Sequence, residues 1–248
     1  MVLIHVTRVR IPLGPPKNMS TPQHVVVVPD GNRRWAKGRG RPPFFGHIEG
    51  AKRTEEIIRA VFSEDITHFT FWSSSVANLT ARPPEEVGTL FSLYEEYFTK
   101  LAREDEIHKN KTRIRVIGRW RDLTPQNVQR AIGLAIEKTQ EYTERHLTFL
   151  VGYDGREEML NAIGEIARNS VHDVTRETIK SHLWTRELPA VDLVIRTGGE
   201  PHWSAGLMMW DVADAQLHFT ETLWPDFYGG EFSNIISSFK SKERRFGA

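Results

Sequence analysis

The chain has 248 residues, with 33 Lys and Arg set against 32 Asp and Glu, a formal net charge of +1 and no cysteine. Near-neutral charge argues against a general nucleic-acid binder, which needs a strongly basic face, and the lack of cysteine excludes thiol catalysis, Cys-ligated zinc and iron–sulfur clusters while fitting a reducing compartment. Apolar runs stop short of the roughly 18–20 residues a membrane span needs, and the length suits one large domain that buries its own core.

Residues 1–22 carry Pro12, Pro15, Pro16 and Pro22 without a helical or strand period. They read as a disordered leader, or as a start placed upstream of Met19, and leave 23–248 as the folded domain. Four valines make His24–Val28 a buried strand, stopped by Pro29, Asp30, Gly31 and Asn32. Apolar residues at helical spacing predict helices over Gly50–Phe62 and Pro84–Leu101, and THFTFWS between them, Thr67–Ser73, is a second strand candidate. Lys111–Gly118 alternates as a strand, and Thr124-Pro125 opens a helix that runs to Thr143. Leu147–Val151 is a strand, Tyr153-Asp154-Gly155 leads a helix through Arg168, and Val191–Arg196 is a strand ending in Thr197-Gly198-Gly199. A short strand over Leu217–Thr220 and a helix over Phe232–Arg244 close the chain. Such alternation predicts a single α/β domain, with a central, mostly parallel sheet flanked by helices. Ligands gather at the carboxyl ends of such strands, where three polar loops fall: Asp30–Arg39, Ser73–Arg82 and Arg196–Ser204.

The first of these loops raises the sharpest chemical question. Gly31 lets the backbone turn, a helix from about Asn32 aims its amides at the turn, and Arg33, Arg34 and Arg39 add guanidinium forks suited to phosphate. His47, between Gly46 and Gly50, adds a donor. These residues describe a diphosphate cradle; taken alone they serve equally well as a solvated helix face with Asp30 as an ordinary cap. The spacing is neither a phosphate-binding Walker loop nor a dinucleotide fingerprint. An acid among cations beside a diphosphate suits Mg²⁺, which favours one or two carboxylates plus phosphate oxygens, so the hinted chemistry is ionisation of a diphosphate ester.

PDGNRRWAKGRG with GHIEG, VDLVIRTGGE at Val191–Glu200, LWPDF at Leu223–Phe227 and the C-terminal KERRFGA together resemble the signatures of the cis-prenyltransferases, the undecaprenyl diphosphate synthase family. The likeness runs from His24 to Ala248. It implies a prenyltransferase of isoprenoid biosynthesis, a homodimer with a hydrophobic tunnel between sheet and helices. Such an enzyme condenses isopentenyl diphosphate onto an allylic diphosphate with Mg²⁺ to give a (Z)-polyprenyl diphosphate. It also implies a cytoplasmic location, with membrane-surface contact through the product. Carried over by position, Asp30 is the Mg²⁺ ligand and assists ionisation. Gly31, Asn32, Arg33 and Arg34 hold the allylic diphosphate, with Trp35, Arg39 and His47 beside it. Arg196 and the residues after it hold isopentenyl diphosphate, His202 and Ser204 among them.

SVANLTARPPEEV matches the family's middle motif, which adds Ser75, Leu79 and Arg82 to the substrate site and puts Asn78 where a proton acceptor is usually assigned. A carboxamide is a very poor base, so holding the isopentenyl group in line suits Asn78 better, with released diphosphate taking the proton. Some positions depart from the family pattern. Ala77 replaces an acid, Pro43 replaces a common arginine with Arg41 near enough to substitute, and EPHWSAGLMMWD alters the second-substrate loop. Gln216 stands where a glutamate of the partner subunit joins the metal; it offers a carbonyl oxygen, and Asp211 or Asp214 is an alternative. Phe69, Phe71, Trp72, Phe91, Tyr94, Phe98, Leu147 and Phe149 are tunnel candidates as well as ordinary core. Two other readings stay open: a catalytically weak partner subunit of a heteromeric enzyme, and an enzyme of this fold that joins prenyl units by branched coupling.

Overall fold

The computed structural model describes residues 21–241. The leader up to residue 20 and the KERRFGA motif lie outside them. Six parallel strands form one sheet in the order β3-β4-β2-β1-β5-β6: β1 His24–Val28, β2 His68–Ser74, β3 Thr112–Ile117, β4 Arg145–Val151, β5 Leu193–Arg196 and β6 Gln216–Phe219. From β1 the chain lays β2 alongside, sets β3 at the edge and inserts β4 between β2 and β3, then returns to place β5 on the other side of β1. The crevice between the ends of β1 and β5 is therefore the topological switch point, where open parallel sheets bind ligands. Val28 pairs with Arg196 there.

Alternation along the strands sends Val25, Val27, Phe69, Phe71, Leu147, Phe149 and Ile195 into one core, with α2 (Pro43–Ser63), α4 (Pro84–Leu101), α7 (Gln126–Thr139) and α10 (Gly229–Ser241). Val26, Val28, Trp72, Leu150 and Val194 enter a second core on the opposite face, with Tyr153, Leu188, Leu207 and Met208. Strands buried on both faces explain the unbroken apolar run of β1.

The helix expected from Gly50 begins at Pro43, preceded by a separate α1 (Asn32–Gly38). Gly46 and Gly50 look like breakers in sequence, but they let α2 pass against the start of α1. A Cβ on Gly46 would lie 1.9 Å from the Asn32 carbonyl oxygen, and one on Gly50 2.3 Å from Asn32 Oδ1. The expected Thr124–Thr143 helix is shorter, and the last strand starts one residue earlier than expected. Short helices α3 (Val76–Thr80), α5 (Asp105–Lys109), α6 (Trp120–Leu123) and α9 (Arg176–His182) were not anticipated; α8 (Gly155–Arg168) was.

Candidate active site

β1 delivers Asp30 to the switch point, and Gly31 (φ 109°) turns the chain into α1. The Asp30 carboxylate accepts from Arg196 Nη2 at 2.8 Å and lies 3.3 Å from Arg34 Nη2. Its backbone oxygen accepts from Thr197 Oγ1 and from the Trp224 N–H, so the end of β5 and the LWPDF segment both brace the turn.

A basin of about 530 Å³ opens beside this carboxylate, lined by Asp30, Gly31, Asn32, Arg33, Arg34, Lys37, Arg41, Pro43, His47 and Arg82. The cations converge on a buried acid that sequence reading passed over. Glu86, on α4, takes hydrogen bonds from Arg82 (3.0 Å) and His47 Nε2 (2.9 Å) and lies 3.7 Å from Arg33. Burial is the main cause that holds the His47 pKa below its ordinary value, and the Glu86 hydrogen bond works against it. The one available signal for Glu86 was its place four residues after Arg82, one helical turn on.

Trp35 and Arg39 do not line the basin. Trp35 Nε1 donates to Asp226 at 2.8 Å, and Arg39 stacks over the Trp35 ring at 4.0 Å while pairing with Asp226 at 3.3 Å. They act as a brace between α1 and the LWPDF turn. Lys37 and Arg41 take the positions in the basin wall that sequence reading gave to Arg39.

Asn32 and His47 also line a second cavity, of about 110 Å³ and apolar, between α2, α4 and the sheet. Ala51, Thr54, Glu55 and Ile58 supply one wall, and Leu90, Tyr94, Phe98 and Leu101 the other, at i, i+4, i+8, i+11 spacing along a helix. Phe71 and Phe149 form the floor. Of the other tunnel candidates, Phe69 and Leu147 are core on the same face, Phe91 packs against that core, and Trp72 points to the opposite face.

On that opposite face Arg196 is buried and spans two loops. Nη2 reaches Asp30, while Nη1 donates to the His202 carbonyl and to Ser204 Oγ, each at 2.7 Å. The middle motif closes on itself. Ser75 Oγ accepts from the Asn78 N–H and Asn78 Oδ1 accepts from the Ser75 N–H, both at 3.1 Å, forming a capping box at the start of α3. With Oδ1 engaged, Asn78 keeps its NH₂ as a donor, which suits positioning and not proton abstraction. Leu79 is buried in the core and lines neither cavity.

The suggested metal alternatives part company. Asp211 is buried in an ion pair with Lys180, so it does not serve a metal at Asp30. Gln216 pairs in register with Leu193 at the amino end of β5, three steps from Arg196, so within one chain it does not meet Asp30. Among the described residues no three His, Asp or Glu side chains cluster to hold a metal. A lone carboxylate facing a cationic basin nonetheless suits Mg²⁺, whose other ligands come from phosphate and water.

Residues 28–247 match the family model described as putative undecaprenyl diphosphate synthase. The chain is 35% identical over 237 residues to a tritrans,polycis-undecaprenyl-diphosphate synthase (geranylgeranyl-diphosphate specific) of Thermococcus kodakarensis, covering 93% of this chain and 89% of that one. A protein of the same name from Thermoplasma volcanium is 34% identical over 237 residues, covering 93% and 91%. Among solved structures, lavandulyl diphosphate synthase from Lavandula x intermedia, in complex with dimethylallyl diphosphate, superposes with a TM-score of 0.84 at 29% identity, covering 92% of this chain and 99% of that one.

Proposed function

The chain belongs to the undecaprenyl diphosphate synthase family of cis-prenyltransferases, and from that premise we propose that it condenses isopentenyl diphosphate with an allylic diphosphate, in repeated steps, at the switch point around Asp30. The observation that carries this reading is contiguity. A cationic basin holding one carboxylate and an apolar cavity between α2 and α4 adjoin, with Pro29, Asn32 and His47 lining both. An amphiphile with a diphosphate head and a hydrocarbon tail fits that pair of spaces in one orientation. Arg33, Arg34, Lys37, Arg41 and Arg82 would take the charge that develops as the carbon–oxygen bond breaks, and the tail would lie along Phe71, Phe98 and Phe149.

Arg196, Ser204 and His202 would hold the second diphosphate from the other face of the sheet, bringing the isopentenyl double bond to the allylic carbon. One carbon–carbon bond forms, diphosphate leaves and one proton is lost to the released diphosphate. Asn78 would orient the isopentenyl group through its NH₂. Mg²⁺, held by Asp30 together with phosphate oxygens, would supply charge neutralisation of the leaving group.

The enzyme would work as a homodimer. Among the described residues β6 is a sheet edge, exposing Leu217 (48%) and Phe219 (37%), and α8 exposes Leu160 and Ile163, apolar surface that a second copy would cover. Such a copy would bring its own Gln216 toward a neighbouring site. Among the described residues no helix is long and apolar enough to cross a membrane.

Incubating the purified chain with farnesyl or geranylgeranyl diphosphate, labelled isopentenyl diphosphate and Mg²⁺ should give a ladder of extracted products ending at a defined length. No labelled product from folded protein, with both primers tried, would favour a partner-dependent subunit. A single condensation product would favour branched coupling. Gln216→Glu should lower the Mg²⁺ concentration for half-maximal rate, and an unchanged metal dependence would remove Gln216 from the metal's surroundings.

A further inference from the structure

The loop that carries His202 and Ser204 follows an unfavourable backbone course. Ala205 (φ 46°), Gly206 (φ 58°) and Met208 (φ 43°) are left-handed within four residues, and two of them carry side chains. A non-glycine residue in this region is strained and persists only where its surroundings dictate it. Those surroundings are the turn after β4. The Gly155 N–H donates to the Ala205 carbonyl at 2.9 Å. Gly155 lies so close beneath Gly206 that a Cβ would come 1.8 Å from the Gly206 oxygen. Tyr153 Oη accepts from the Met208 N–H at 3.1 Å.

Tyr153 is fully buried, and its hydroxyl proton goes to the buried Glu158 carboxylate of α8. The other oxygen of Glu158 accepts from the Thr185 N–H at 2.8 Å. Lys180 joins the same framework by donating to the Thr185 carbonyl at 2.9 Å and to Asp211, the residue that closes the loop. Because its proton is committed to an acid, the Tyr153 oxygen is a strengthened acceptor for the Met208 amide. Burial raises the pKa of both Tyr153 and Glu158 above their ordinary values, so the phenol keeps its proton throughout the physiological range.

We propose that Tyr153 and Glu158 are positioning residues for the second substrate: they hold the 205–208 stretch in its left-handed course, so that Ser204 and the His202 carbonyl meet Arg196. Neither touches Asp30, the cationic basin or the apolar cavity. Their influence is therefore directed to one substrate. The inference rests on the assignment of isopentenyl diphosphate to the Arg196 side.

The test is calorimetric titration of the full chain with isopentenyl diphosphate, alongside steady-state kinetics, for the native chain, Tyr153→Phe and Glu158→Gln. Tyr153→Phe leaves the buried Met208 amide without an acceptor, and a lost buried partner corresponds to roughly tenfold in affinity. Tyr153→Phe should therefore weaken isopentenyl diphosphate binding, and raise its KM, about tenfold, with the allylic KM unchanged and kcat altered less than threefold. Glu158→Gln keeps one acceptor oxygen of the two that Tyr153 and Thr185 use, and should weaken binding less than Tyr153→Phe does. Equal rises in both KM values, tracking a fall in Tm, would reduce the pair to a general structural role and overturn the proposal, as would unchanged binding by folded Tyr153→Phe. Native protein that binds isopentenyl diphosphate without elongating it would sink the elongation reading while the binding comparison still decides the positioning claim. Native protein that does not bind it would overturn both.

Discussion

Asp30 is the one carboxylate among the described residues that line the basin, and it is bound from two sides by Arg196 and Arg34. A metal that uses this carboxylate has to compete with the Arg196 guanidinium, and arrival of a second diphosphate at Arg196 would relax that competition. Asp30→Ala should lower kcat by about 10²–10³, with the far-ultraviolet circular dichroism spectrum kept, because the Asp30 backbone oxygen still accepts from Thr197 and Trp224. Near-normal turnover would remove Asp30 from the mechanism. The sequence made Asp30 and the arginines visible, because charge density after a buried strand needs no fold to be noticed. It left Glu86 hidden, since its value comes from His47, Arg33 and Arg82 converging on it from other elements. The sequence also left Trp35 and Arg39 misplaced, since Asp226 lies far along the chain.

α2 and α4 wall the apolar cavity by presenting stripes to each other, and the two stripes differ in chemistry. The α2 wall begins with His47 and Gly50 at the basin and becomes apolar at Ile58. The α4 wall carries Leu90, Tyr94 and Phe98 throughout, and the Tyr94 pKa is pushed up to about 12 by burial. The stripe from His47 to Ile58 spans about 16 Å of helix at 1.5 Å per residue. A growing polyprenyl tail would soon exceed that length and press on the floor, where Phe149 meets Phe98 edge-on with ring centroids 5.1 Å apart. Phe149→Leu should lengthen the main product by at least one isoprene unit while costing about 1–2 kcal/mol of stability. An unchanged ladder from folded protein would place the length limit elsewhere. Helical spacing made α4 legible in full, but it could not locate the start of α2. Gly46 and Gly50 have low helix propensity, and their packing against Asn32 outweighs it. Which face of β4 bears Phe149 also needed the sheet, because a one-residue slip reverses every side chain.

Across the whole molecule the sheet separates two ends with opposite tasks, since reactive groups occupy the carboxyl ends of the strands and a row of histidines occupies the amino ends. His24, His68 and His146 pair in register on adjacent strands, and the His68 and His146 rings stack 4.3 Å apart. The sequence alone does not reveal this row, because strand register brings the three together. His24 is fully buried. Its Nδ1 contacts the Pro189 carbonyl, which can only accept, so Nδ1 carries the proton and Nε2 accepts from Thr70 Oγ1; the ring is neutral. Burial lowers the His24 pKa from 6.5 to about 4, and the His146 pKa falls to about 4 for the same first reason, with His68 and Arg115 adding to it. With a depressed folded pKa, the unfolded chain takes up the proton first. Stability from His24 is therefore complete above about pH 6.5, declines as pH falls from there to about 4, and is about 2 kcal/mol lower at pH 5. Glu158 and Asp211, whose pKa values are raised by burial, act in the opposite direction at acid pH, so the comparison has to be made against a variant. Urea unfolding at pH 7.5 and pH 5 should show the native chain losing about 2 kcal/mol more than His24→Gln does across that interval. Equal losses would mean that the His24 ring is solvated or protonated in the fold.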